Sequence, residues 1–140
     1  MKKIILVTVS VIILVVIGIE IYKLNKEYQT TPEKTSVQNV NVKAGDTVAS
    51  PLQVTGEARG TWYFEASFPV KIYDANGKLL GSVPAEAQSD WMTENFVPFN
   101  ALLIFTNSTT EAGTLVLEKD NPSGLPANAG QIEIPVRFKK

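Results

Sequence analysis

The stretch Thr61–Tyr73, TWYFEASFPVKIY, alternates apolar and polar side chains along most of its length. A period of two is that of a β-strand with one buried face, whereas an α-helix repeats every 3.6 residues. Because Pro69 cannot donate a hydrogen bond to a sheet, we expect one half-buried strand, or two strands broken near Pro69. The predicted inner face consists of Trp62, Phe64, Ala66, Phe68, Val70 and Ile72, and the outer face includes Tyr63, Lys71 and Tyr73.

The segments on either side of this stretch continue the same pattern. Leu52–Glu57 alternates in the same way just before it. Asp74–Gly77, DANG, supplies residues that tolerate a positive φ in a tight turn, and Leu79–Val83 follows as a returning strand. The sequence therefore predicts a β-hairpin around Asp74–Gly77.

Three later segments also have the composition of strands. Val97–Phe105 is apolar on much of both faces, which is typical of a central strand. Thr114–Glu118 follows a turn, and Gln131–Phe138 contains Pro135, which suggests a sheet edge. About seven short strands separated by turn signals indicate an all-β fold, an immunoglobulin-like β-sandwich over residues 37–140.

Parts of this region resemble a known family. The matching segments are Ser50–Lys78, SPLQVTGEARGTWYFEASFPVKIYDANGK, Asp90–Phe99, DWMTENFVPF, and Gly113–Pro126, GTLVLEKDNPSGLP. They are similar to the Gmad-type immunoglobulin-like domain of bacterial spore germination, and the likeness extends from Val40 to Phe138. The resemblance implies a bacterial extracytoplasmic sandwich that is often attached to other envelope modules or to a membrane segment. It implies no agreed activity.

The N-terminus carries a long apolar run, since Ile4–Ile19 contains no charged residue. Lys2 and Lys3 precede it, which favours a cytoplasmic N-terminus and an exported C-terminal part. The run is either a cleaved signal peptide or an uncleaved anchor. Glu20–Leu24 lacks the small residues of a cleavage site, and the anchor is therefore the favoured interpretation.

These observations divide the chain into four parts. We expect a cytoplasmic tip at residues 1–3, a single-pass transmembrane signal anchor at residues 4–22, a linker at residues 23–36 and the sandwich domain at residues 37–140. The linker is rich in charged and hydroxyl side chains and has few large apolar ones. The predicted location of the domain is the outer side of the cell membrane.

Composition excludes several kinds of chemistry. The chain has neither cysteine nor histidine, which excludes disulfides, Ser-His-Asp catalysis and the usual zinc sites. Glu57 and Glu65 lie near Arg59 in sequence, and a surface ion pair explains them better than paired acid–base catalysis does. A net charge of −1 without a long basic cluster argues against nucleic-acid binding. We expect no enzyme and no cofactor.

Metal binding is also not expected. Asp74–Gly77 resembles the start of a calcium loop, but Ala85 stands where an EF-hand requires a glutamate, and the hairpin turn is the better interpretation. Asp46, Asp120 and Asn121 carry oxygen ligands that would suit an ion at one sandwich end, and this is a weaker alternative.

Five residues are candidates for contact with a protein or a glycan: Tyr63, Tyr73, Trp91, Asp120 and Asn121. The two tyrosines are predicted on an exposed sheet face, Trp91 is predicted as a plug over the sandwich end, and the last two lie in a loop. The leading interpretation is a noncatalytic, membrane-tethered module that contacts another envelope protein through a sheet face or end loops. The alternative is binding of peptidoglycan or another wall polysaccharide.

Overall fold

The structure, a computed structural model, describes residues 18–19 and 36–139. Gly18 and Ile19 are helical. Within the described residues, no helix combines the length and the apolar character that a bilayer crossing needs. The predicted anchor (4–22) and linker (23–36) lie outside the described residues, apart from Gly18, Ile19 and Ser36, and they stay predictions.

The described part of the domain is built from β-strands. Their bounds are β1 Val37–Gln38, β2 Thr47–Val48, β3 Leu52–Arg59, β4 Ser67–Asp74, β5 Leu79–Ala87, β6 Phe96–Leu103, β7 Ala112–Glu118 and β8 Gln131–Phe138. Two short 3-10 helices, Gly60–Trp62 and Pro126–Asn128, interrupt the connections. The all-β prediction is confirmed.

The eight strands form one hydrogen-bonded sheet in the order β1-β3-β6-β5-β4-β7-β8-β2. β5 and β6 are joined by only two residue pairs, Glu86 with Asn100 and Ala87 with Phe99. The sheet curls at this narrow junction, so that side chains from strands that are not neighbours meet. The rings of Phe68 on β4 and Phe99 on β6 have centroids 5.0 Å apart although β5 lies between the two strands. The curled sheet thus packs against itself as the predicted sandwich.

The core lies between these two inner surfaces. On β4 the inward side chains Phe68, Val70 and Ile72 are fully buried, and the outward ones are only partly buried. Leu115 and Leu117 on β7 complete this side of the core. Full burial of a large apolar side chain contributes about 1.5–3 kcal/mol, and burial holds this cysteine-free domain together.

The stretch Thr61–Tyr73 departs from its predicted structure. It does not form one strand, and the break lies between Tyr63 and Ser67 instead of near Pro69. Phe64 and Ser67 exchange backbone hydrogen bonds of 3.0 and 3.1 Å around Glu65 and Ala66, which have φ values of 48° and 64°. This is the geometry of a tight hairpin turn of the primed type.

That turn shifts the alternation of the side chains before it. Phe64, predicted in the core, is 43% exposed, and Tyr63, predicted on the outer face, is 4% exposed. Both predictions are wrong for the same reason. Glu65 and Ala66 adopt a left-handed conformation, so the alternation of β4 does not continue into the residues before them.

The hairpin turn predicted at Asp74–Gly77 is confirmed. Gly77 donates its backbone amide to the Asp74 carbonyl, and Asp74 Oδ1 accepts hydrogen bonds of 2.9 Å from the amides of Asn76 and Lys78. Asp74 is therefore buried as a turn cap. At the predicted edge, Pro135 lies in β8, the last long strand, and the two-residue β2 pairs beyond it.

Candidate functional site

Three connections lie at the same end of the sandwich. They are residues 60–66 between β3 and β4, residues 88–95 between β5 and β6, and residues 119–130 between β7 and β8. The antiparallel pairing of β3 with β6, of β5 with β4 and of β7 with β8 brings them together. We call this surface the three-loop end.

Backbone hydrogen bonds join the three loops to one another. The Gly60 amide donates to the Asn95 carbonyl at 3.0 Å, and the Asp120 amide donates to the Trp62 carbonyl at 3.0 Å. The Ala87 amide, at the end of β5, donates to the Ala66 carbonyl at 2.8 Å. Because these bonds connect main chains, they fix the relative positions of the loops.

Gly60 lets the first loop approach the second. A Cβ atom on this residue would lie 1.8 Å from the Thr93 carbonyl oxygen and 2.4 Å from that of Trp91. Both atoms belong to the backbone, which cannot yield as a flexible side chain can. A glycine is therefore required here for packing, whatever its φ.

Each loop of the three-loop end exposes one large apolar side chain. Phe64 is 43% exposed, Met92 is 77% exposed and Leu125 is 57% exposed. The charged residues of the same loops and of the adjoining strand end are mostly acidic: Glu65, Asp90, Glu94 and Asp120, against Arg59 and Lys119. Arg59 is already engaged, because its guanidinium lies 4.0 Å from the centre of the Phe96 ring and donates to the Glu94 carbonyl.

The third loop is organised by its own polar side chains. Asn121 Nδ2 donates to the Leu125 carbonyl at 2.9 Å, and Ser123 Oγ donates to Asn121 Oδ1 at 2.6 Å. Asn128 Nδ2 reaches Ser123 Oγ at 3.0 Å. The Asn121 side chain thus uses both ends of its amide inside the loop, which holds Leu125 in place.

The structure distributes the five predicted contact residues over different surroundings. Trp91, Asp120 and Asn121 lie in the loops of the three-loop end, all partly buried, and Trp91 packs on the core. Tyr63 is also at this end but is buried, so its predicted exposure is wrong. Its hydroxyl donates to the Val97 carbonyl at 2.7 Å, and burial raises its pKa.

Tyr73 lies near the opposite end of β4, on a different surface. There the outward residues of three adjacent strands line an open concavity of about 490 Å³: Lys71, Tyr73, Thr114, Val116, Glu118, Gln131 and Glu133. Register places Tyr73 beside Thr114, Lys71 beside Val116, and Val116 beside Glu133. We call this surface the β4–β7–β8 face.

The polar side chains of the β4–β7–β8 face are paired with one another. Lys71 forms an ion pair with Glu118, and the hydrogen bond between them raises the pKa of Lys71. Gln131 Nε2 donates to Glu133 Oε1 at 2.6 Å. These pairs hold the side chains in defined positions around Val116, which is 7% exposed.

Two further predictions find different partners in the structure. Glu57 accepts hydrogen bonds from the side chains of Gln38 and Asn39 at 2.9 and 2.7 Å, in place of the predicted ion pair with Arg59. Asp46 precedes β2, which pairs with the end of β8 opposite the three-loop end, and so lies far from Asp120. Within residues 18–19 and 36–139, no group of three or more His, Cys, Asp or Glu side chains is placed to hold a metal ion.

Sequence reasoning missed Phe64, Met92 and Leu125 as exposed residues. For Phe64 the alternation gave the opposite answer. For Met92 and Leu125 a signal was present, since a large apolar residue within a polar or glycine-containing loop has little core to enter. On another surface, Leu102 and Ile104 are also exposed, at 55% and 71%.

Comparison with known proteins gives one match. No curated protein matches the chain significantly, and no solved structure does. Residues 40–125 match the family model Gmad2, described as the immunoglobulin-like domain of bacterial spore germination. This range contains six of the eight strands, β2 to β7, together with the loops of the three-loop end as far as Leu125, and it covers more than half of the chain. The protein therefore belongs to the Gmad2 family of immunoglobulin-like domains.

Proposed function

We propose that this protein is a noncatalytic, membrane-tethered module that holds another envelope protein through the three-loop end. One observation carries the proposal: three loops joined by backbone hydrogen bonds each expose one large apolar side chain at the same end of the sandwich. Exposed Phe64, Met92 and Leu125 have no role in the core, and apolar surface of this kind is typical of contact sites.

The order of the loops favours a protein partner. Association costs less free energy when the contacting groups are already fixed, and the bonds of Gly60 and Asp120 fix the loops before contact. Apolar anchors inside a polar rim are the usual anatomy of protein interfaces. Because the rim is mainly acidic, the complementary partner carries basic side chains around an apolar patch.

The noncatalytic part of the proposal is supported by the causes of the raised pKa values. Tyr63 and Lys71 have raised pKa values, but each has a structural explanation. The Tyr63 hydroxyl is buried between strands, and Lys71 is paired with Glu118. Both raised pKa values therefore have a structural cause, and neither indicates a group prepared for catalysis.

The tether rests on the apolar run Ile4–Ile19, and the proposed location is the outer side of the cell membrane. The Arg59 amide donates to the Ser36 carbonyl at 2.8 Å, so the chain enters the domain beside the three-loop end. A flexible chain as long as the predicted linker, residues 23–36, spans about 20 Å on average. Such a tether raises the effective concentration of the loops for partners in the same membrane.

Site-specific photo-crosslinking in intact cells tests the proposal. A photoreactive residue would replace Met92 or Leu125 in the full-length chain, and Leu102, which is 55% exposed on another surface, is the matched control position. We expect the same discrete protein adduct from both loop positions and none from Leu102. Equal adducts from all three positions, or a wall-degradable polysaccharide adduct from the loops, would contradict the proposal.

A second arm tests the tether separately. The chain lacking residues 4–22 should leave the membrane fraction, whereas Met92→Asp, with the photoreactive residue kept at position 125, should stay in it and lose the adduct. If the truncated chain still sediments with membranes, the anchor is wrong even where the loop contact holds.

A further inference from the structure

We propose that the β4–β7–β8 face is a second binding site, and that it takes a neutral or amine-bearing glycan with Tyr73 as its stacking surface. This face is distinct from the three-loop end, so the inference does not depend on the protein contact proposed above. It rests on the shape, the side-chain chemistry and the charge of three adjacent strands.

The size of the concavity suits a short oligomeric ligand. The concavity of about 490 Å³ is open to solvent, and its volume is within the range of small-ligand sites. Val116 forms a buried floor, with Lys71 from β4 on one side and Glu133 from β8 on the other. Adjacent strands lie about 4.8 Å apart, so the three rows present side chains at intervals close to one sugar ring.

The chemistry suits hydroxyl groups. A sugar hydroxyl both donates and accepts, and pairs well with carboxylate, amide and ammonium groups. The face supplies these through two fixed pairs, Lys71 with Glu118 and Gln131 with Glu133, and each carboxylate has a second oxygen available for a ligand. Because the pairs are already formed, little side-chain entropy is lost on binding.

Tyr73 adds the apolar half of a sugar site. It is partly buried on β4, with Thr114 of β7 as its neighbour in the sheet. The C–H face of a pyranose ring stacks on an aromatic ring, and the tyrosine hydroxyl remains able to bond with water or ligand. The backbone at Tyr73 is held in place, since the next residue, Asp74, is the buried cap of the hairpin turn.

Charge decides which glycan fits. Glu118 balances Lys71, which leaves Glu133 and the buried Asp74 as excess negative charge. Such a face repels phosphate-bearing wall polymers and accepts neutral chains or chains with free amines. An N-acetylglucosamine backbone has this chemistry.

The test is a titration of the full-length chain in detergent with chitotetraose, a neutral tetramer of N-acetylglucosamine, followed by calorimetry or NMR. We expect Tyr73→Ala to weaken binding about tenfold, as loss of an aromatic stacking partner implies. Tyr73→Phe should bind within about threefold of the native chain. Glu118→Gln, which keeps the size of the side chain, should also weaken binding. Leu102→Ala and the loop variant Met92→Asp with Leu125→Asp should bind normally.

Several outcomes would overturn the inference. They are an absence of chitotetraose binding, equal affinity in Tyr73→Ala and the native chain, an equal loss in Leu102→Ala, and tighter binding of polyglycerol phosphate than of chitotetraose. Unchanged tryptophan fluorescence in Tyr73→Ala would establish that a loss of affinity is not a loss of fold. The variant Met92→Asp with Leu125→Asp retains glycan binding only if the two sites are separate. A failure of the glycan proposal is therefore distinguishable from a failure of the proposed protein contact.

Discussion

Replacing Tyr63 with phenylalanine tests the most consequential departure of the structure from the alternating pattern. The Tyr63 hydroxyl donates to the Val97 carbonyl at 2.7 Å. Val97 lies on β6, so this bond fastens the connection after β3 to a neighbouring strand, in a place where 4% of the residue is exposed.

The expected cost follows from the loss of this bond. Tyr63→Phe removes one buried hydrogen bond, which is worth about 1–1.5 kcal/mol net. We expect the free energy of unfolding to fall by about 1–1.5 kcal/mol. For a domain of this size, that lowers Tm by roughly 5 °C or more. Phenylalanine fills the same space, so the cost is polar and not a cavity effect.

Urea unfolding followed by tryptophan fluorescence measures the change, because Trp62 and Trp91 both report on the three-loop end. The control is Tyr73→Phe, in which the same hydroxyl is lost from the outer face; we expect a change within about 0.5 kcal/mol. If the two variants unfold at the same urea concentration with the same slope, the Tyr63 hydroxyl does not form the buried bond to Val97. The outward orientation predicted from the alternation would then be correct.

Three other outcomes are expected. Gly60→Ala should lower the free energy of unfolding by about 3 kcal/mol or more, because its Cβ would lie 1.8 and 2.4 Å from backbone atoms. Urea unfolding should show a smaller loss for Gly124→Ala, where a Cβ has open space but φ is +64°. Burial raises the pKa of Tyr63 above its unfolded value of 10.0, so its contribution to stability is complete below that pH and declines as the pH rises further; alkaline titration of tyrosinate absorbance should show one tyrosine that ionises only on unfolding, absent in Tyr63→Phe. Glu118→Gln should lower the pKa of Lys71, visible by NMR, and change stability by less than about 1 kcal/mol, as for other surface pairs.

Alternation predicted the strands wherever one face enters the core. On β4, from Ser67 to Asp74, every second residue is buried, as the sequence pattern requires. The DANG turn was readable because a glycine and an asparagine signal positive φ. The turn at Glu65 and Ala66 was not readable, since neither residue type marks a left-handed conformation.

The three-loop end was only partly predictable. A loop location for Trp91, Asp120 and Asn121 follows from their polar neighbours and from the strands around them. The hydrogen bonds that join the loops could not be read, because a backbone amide has the same chemistry in every residue and its partner depends on tertiary packing. Of the residues that join the loops, Gly60 left a trace in the sequence, as a glycine between the alternating segments Leu52–Glu57 and Thr61–Tyr73.

The turn at Glu65 and Ala66 has a conformational cost, and it also decides which side chains before it are exposed. A left-handed conformation costs roughly 1–2 kcal/mol per residue with a side chain, and a glycine at either position would remove most of that cost. The turn reverses the chain directly after Phe64, so Tyr63 points inward to bond with Val97 of β6 while Phe64 points outward. Burial of Trp62 and Tyr63 offsets the strain. The exposure of Phe64 thus follows from the turn, and the contact proposed for the three-loop end uses the side chain that the turn places outside.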